Sequence, residues 1–64
     1  MVTLGIYRHY KGGEYKVIGV ATHTETDEEL VIYVDVHGKL WARPESMFTD
    51  WVGGKLRFQL VTPR

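Results

Sequence analysis

The chain has no cysteine, which removes disulfides and thiolate zinc sites at once. No apolar run approaches the roughly 20 residues of a membrane-spanning helix. The opening Met1-Val2-Thr3-Leu4-Gly5 lacks the basic segment and apolar stretch of an export signal. A cytoplasmic protein with no membrane association is the default expectation. Net charge is absent too, with 8 Lys and Arg against 8 Asp and Glu, whereas a dedicated nucleic-acid domain is usually basic overall. The lone serine, Ser46, has no histidine near it in sequence, so nothing marks a serine nucleophile with its base.

What remains is a chain of 64 residues, read as one domain over 1–64, whose folding buries about 60% of the surface of the unfolded chain. Its 44% hydrophobic and 25% charged residues are ordinary for a globular protein. Glycine pairs fall where hairpin turns need positive φ: Gly12-Gly13 divides residues 6–10 from 14–22, and Gly53-Gly54 precedes 56–61. His37-Gly38 likewise divides 30–36 from 40–43. These segments are rich in β-branched and aromatic residues and predict five strands. Gly19, inside the second, predicts a bulge or sharp bend. Residues 30–34 are apolar on both faces and predict an interior strand, its second face covered by Trp41, Met47 or Phe48. In the last strand Leu56, Phe58 and Leu60 alternate with Arg57 and Gln59, predicting that the three apolar residues face the core. Residues 44–48 begin with proline and have room for one helical turn. The expected fold is all-β: a small five-stranded SH3-like barrel with one helical turn before the last strand, a twisted open sheet being the rival.

Several blocks together carry a family resemblance. They are Tyr7-Arg8-His9-Tyr10-Lys11-Gly12, Tyr15-Lys16-Val17-Ile18-Gly19-Val20-Ala21, His23-Thr24-Glu25-Thr26, Leu30-Val31-Ile32-Tyr33, and Trp41-Ala42-Arg43-Pro44 with Met47-Phe48 and Arg57-Phe58. In that order they resemble the bacterial family of domain of unknown function 1653. The resemblance implies a short, mostly stand-alone protein with a β-rich, SH3-like fold, and it brings no settled activity. Between Tyr33 and Trp41 this chain departs from the family pattern, with Val36-His37-Gly38-Lys39 in place of a leucine-tyrosine pair and a longer turn.

Along an extended chain Tyr7 and His9 share one face and Ile6, Arg8 and Tyr10 the other. If Ile6 and Tyr10 pack inward, Tyr7, His9 and Lys11 lie together outside, and His23, Glu25, Trp41 and Arg43 complete one polar and aromatic patch. Tyrosine and histidine beside a turn also snorkel or bond locally. Trp51, near Val52 and Phe48, is expected to plug the hydrophobic end of the fold. For Trp41, an outward ring would stand beside Arg43, whereas an inward one would leave Arg43 needing Glu25, Asp35 or a similar acid.

A non-catalytic binding module is the expected function, using Tyr7, His9, Lys11, His23, Glu25, Trp41 and Arg43. One partner class is single-stranded nucleic acid, with Tyr7, Tyr10, Tyr15 and Trp41 stacking bases and Arg8, Lys11, Lys16 and Arg43 meeting phosphates. The other is a protein or peptide held in an aromatic groove or on an edge strand. The alternative is a small metal-binding or hydrolytic protein using His9, His23 and Glu25, although the three histidines stand 14 residues apart, which is no recognised ligand spacing. No cofactor is expected, and an unpaired edge strand leaves both a monomer and an edge-strand dimer open.

Overall fold

Turn chemistry places the strands where the glycines fall. In the computed structural model, which describes residues 2–64, the strands are β1 (Gly5–His9), β2 (Glu14–Thr22), β3 (Glu29–Val34), β4 (Leu40–Pro44), β5 (Trp51–Val52), β6 (Lys55–Leu56) and β7 (Phe58–Pro63). One helical turn, α1 (Glu45–Phe48), follows β4. Met1, part of the N-terminal segment read above, lies outside the described residues. The all-β expectation holds: β4-β3-β2-β1-β7 form a five-stranded sheet, antiparallel at every pairing, and β5 and β6 form a separate two-residue hairpin. The ladder is open between β4 and β7. Between them the chain crosses from one end of the sheet to the other through α1 and the hairpin.

The bulge foreseen at Gly19 is present. The β2–β3 register steps from Val17↔Tyr33 to Gly19↔Ile32, so Ile18 is the extra residue and β2 bends there. A second irregularity lies opposite Ile6 and Tyr7 on β7, where Ile6↔Thr62 gives way to Tyr7↔Leu60. Gly5 closes this corner, with φ +146° and so close to β7 that a Cβ on it would collide with the backbone of Thr62–Arg64.

Among the described residues seven form the core: Val2, Tyr7, Val17, Val31, Tyr33, Phe48 and Phe58. Registers put most of them on one face of the curled sheet, with Tyr7 opposite Tyr15 and Val17 opposite Tyr33. Phe48 rises from α1 into the middle of that face, stacked on Phe58 at 4.1 Å with ring planes 6° apart. Its neighbours Tyr7 and Tyr33 stand at 5.2 and 5.7 Å.

Four expectations are corrected here. Tyr7 is buried rather than outside, its hydroxyl donating to the Thr3 carbonyl at 2.6 Å. Either face of β1 offers an apolar residue, and the aromatic one wins the core. The outward face of β3, Leu30, Ile32 and Val34, stays half-exposed, because Phe48 covers the Tyr33 side while Trp41 and Met47 are exposed. In the last strand only Phe58 is buried, since a bend at Arg57 puts Leu56 on the hairpin, and Leu60, opposite Tyr7 on the core side as expected, stays exposed on the edge strand β7. Trp51 is no plug: the Gly53-Gly54 turn carries it outward, 67% exposed.

Candidate functional site

The strand ends that meet at the β1–β2 turn gather the chemistry. His9 (β1), Tyr15 (β2), Tyr33 (β3), Trp41 and Arg43 (β4) and Phe58 (β7) line one open cup of about 210 Å³. Every strand of the main sheet therefore contributes to it. The registers explain the convergence: Tyr33 pairs with Trp41 and His9 with Phe58, so these residues share the concave face. Curling of the sheet then brings Arg43 across the open seam to 5.8 Å from the Phe58 ring. The rings interlock edge to face, Tyr15–Tyr33 at 5.5 Å, Tyr33–Phe58 at 5.6 Å and His9–Phe58 at 4.9 Å. Such pairs contribute about 0.5–1.5 kcal/mol each beyond their burial, so the wall is rigid.

The polar atoms of the cup are mostly donors. His9 Nδ1 accepts the Lys11 backbone N–H at 3.1 Å, leaving the proton of the neutral ring on Nε2. Among the described residues the hydroxyls of Tyr15 and Tyr33 have no hydrogen-bond partner, and both reach solvent. Arg43 makes no ion pair among the described residues either; it faces the Phe58 ring, and its charge helps to lower the Asp50 pKa. Asp35, the acid at the rim, is committed. Its carboxylate accepts Trp41 Nε1–H at 3.0 Å and the backbone N–H groups of His37 and Lys39 at 2.9 and 3.0 Å. Those bonds, the indole's first, hold its pKa below the usual carboxylate value. Lys39 lies over the Trp41 ring at 4.3 Å. Trp41 thus faces the cup together with Arg43, and the acid within reach of the Arg43 charge is Asp50, which is itself bonded to Arg57.

His9 is held below its ordinary pKa of 6.5 by burial first, and then by the positive charges of Arg57, Arg43 and Lys11. Because the neutral form is favoured on folding, its contribution to stability is present above pH 6.5 and is lost as pH falls through the lower folded pKa. Between pH 7 and 5 the wild type is therefore expected to lose more thermal stability than His9→Gln. An imidazole C2–H titration midpoint above 6.5 for His9 would refute this reading.

The seven residues expected at one patch are divided by the fold. His9, Trp41 and Arg43 meet in the cup, Lys11 stands at its rim over Tyr10 at 5.7 Å, and Tyr7 lies inside the core. His23 and Glu25 lie in the β2–β3 loop, roughly 25 Å along β2 from Tyr15. There His23 Nδ1 accepts the backbone N–H groups of Glu25 and Thr26 at 3.1 and 3.3 Å, which shapes the turn. His9, His23 and Glu25 consequently form no joint site, and no group of three or more His, Asp or Glu suited to a metal exists among the described residues. Tyr33 and Phe58 are the cup residues that strand-level reading assigned only to packing. Their signal is cross-strand register, which a single sequence does not display.

Fold and cup together define a small all-β protein with a ring-lined, cation-rimmed concavity. The family model described as protein of unknown function (DUF1653) matches residues 5–59, and the chain belongs to that family. It is similar to the crystal structure of a DUF1653 protein from Bordetella bronchiseptica, at 32% identity and a TM-score of 0.82, over 98% of this chain and 95% of that one. Comparison with curated proteins gives no match. No helix among the described residues is long and apolar enough to cross a membrane.

Proposed function

We propose that this chain is a non-catalytic binding module that holds single-stranded nucleic acid, one base entering the cup with its phosphate at Arg43. The observation that carries the reading is the Arg43 guanidinium, which has no ion pair among the described residues, set across a wall of rings from His9, Tyr15, Tyr33, Trp41 and Phe58. At about 210 Å³ the cup is smaller than the roughly 300 Å³ at which sites for drug-sized ligands begin, so it suits one ring rather than a whole molecule. Base stacking on aromatics beside a cationic track is how single strands are held without strong sequence preference.

The zero net charge is answered by its distribution. Glu25, Asp27, Glu28 and Glu29 cluster at the β2–β3 end, while Lys11, Lys39, Arg43 and Arg57 surround the cup at the other, against Asp35 and Asp50, whose carboxylates are taken up by Trp41 and Arg57. The SH3-like class of small barrel, and the cytoplasm as compartment, are part of the same reading, since such folds present aromatic surfaces to extended ligands.

The test is an amide NMR titration with a short oligouridylate at low and moderate salt. Shifts should concentrate at His9, Tyr15, Tyr33, Trp41, Arg43 and Phe58. Engagement of three phosphates would weaken affinity about 20-fold between roughly 50 and 200 mM salt. Diffuse shifts abolished by salt, or none, would overturn the reading. The same residues responding to an extended peptide and not to RNA would transfer the cup to a protein partner.

A further inference from the structure

A second concavity backs onto the cup across the end of β1. It is the larger, about 340 Å³, and Arg8, His9, Tyr10, Trp51 and Lys55 are among the residues lining it. His9 lines both cavities. Given nucleic-acid binding in the cup, on which this inference rests, we infer that the bound strand continues out of the cup, over the His9–Tyr10 crest and into this groove, where a later base stacks on Trp51.

Three observations carry the path. The first is Trp51 itself, 67% exposed on a two-residue strand, a costly place for an indole. Its hairpin is nevertheless fixed rather than loose. Arg57 grips Asp50 with two hydrogen bonds of 2.7 and 3.3 Å, and the Arg57 backbone accepts the Tyr10 N–H at 2.9 Å, tying the hairpin to the end of β1. The second is the crest, where the His9 and Tyr10 rings stand 4.7 Å apart and tilted 36°, with Lys11 and Arg57 at 5.7 and 5.9 Å from the Tyr10 ring. The third is charge. Of the acids near this route, Glu14 is paired with Arg8 at 3.0 Å and Asp50 with Arg57, and among the described residues Lys55, beside Trp51, has no ion pair. Rings therefore recur along the route with a cation beside each, as stacked bases and their phosphates require. A peptide would need no such repeated cation.

The two tryptophans are built-in reporters. Trp51→Phe leaves Trp41 as the only indole and Trp41→Phe leaves Trp51, so fluorescence can be read at each site separately during titration with uridine monophosphate and with a uridine tetranucleotide, near the lower limit of single-strand site sizes of about four nucleotides. The monophosphate should quench Trp41 alone, and the tetranucleotide both. Trp51→Ala should weaken the tetranucleotide roughly 5- to 150-fold, the range for one stacked base, without affecting the monophosphate. If Trp41 responds while Trp51 stays silent and Trp51→Ala binds the tetranucleotide as wild type does, the path is wrong and the cup reading survives. Silence of both indoles removes the two together. Tripolyphosphate quenching Trp51 as strongly as the tetranucleotide would show charge alone, and would also overturn the path.

Discussion

Replacing Phe48 by alanine is expected to abolish cooperative folding at 25 °C. The side chain is 1% exposed and stands at the centre of the aromatic core, stacked on Phe58 at 4.1 Å and edge-on to Tyr7 at 5.2 Å. It also anchors α1, a four-residue turn that has no stability of its own. Truncating a buried phenylalanine costs about 3–5 kcal/mol, and the whole margin of so small a core is about 3–5 kcal/mol. The loss therefore matches the reserve. Near-ultraviolet circular dichroism and a urea titration check it: the variant should lack the aromatic signal and a sigmoidal transition. A urea midpoint close to that of wild type would mean that the core closes over the gap, and the account of Phe48 as its centre would be wrong.

Why the sequence yields the strands but not their faces follows from particular residues. Glycine pairs and β-branched runs locate β1 to β4, because φ > 0 turns and strand composition are local properties. Gly19 even marks the bulge at Ile18, which is local as well. Facing is not local. In β1, parity alone separates Tyr7 and His9 from Ile6 and Tyr10, and both sets can be buried, so a reading that chooses the wrong parity sends every side chain to the other side. The structure chooses Tyr7, and His9 is carried inward with it to the cup. The end of the chain misleads for a related reason. Alternation from Leu56 to Leu60 looks continuous, but the Asp50–Arg57 clamp holds a bend between β6 and β7 that separates Leu56 from the last strand. Trp51 goes outward with the same hairpin. For the cup, His9, Trp41 and Arg43 were legible as residue types suited to recognition. That they meet depends on contact between β4 and β7, the two strands furthest apart in the sheet order.

Removing Trp41 and Arg43 together should eliminate RNA binding while leaving the fold intact. Both sit on β4, an edge strand whose loss of side chains opens no buried cavity: Trp41 is 42% exposed and Arg43 half-buried. Stacking on one aromatic is worth about 1–3 kcal/mol per base, so Trp41→Ala alone should weaken a short oligouridylate between about 5- and 150-fold. Arg43→Gln removes one phosphate contact, so it should weaken binding and also reduce the salt slope by about 0.7. The double variant should fall below detection where the wild type saturates. Lys16→Ala is the matched control. It deletes the same unit of charge from the opposite face, where Lys16 pairs with Ile6 and Val34 away from the cup, and its affinity should stay near that of wild type. If Lys16→Ala and Arg43→Gln weaken binding equally, attraction is spread over the whole surface and the cup has no special role. If the double variant still binds as wild type does, the ligand lies elsewhere on the protein.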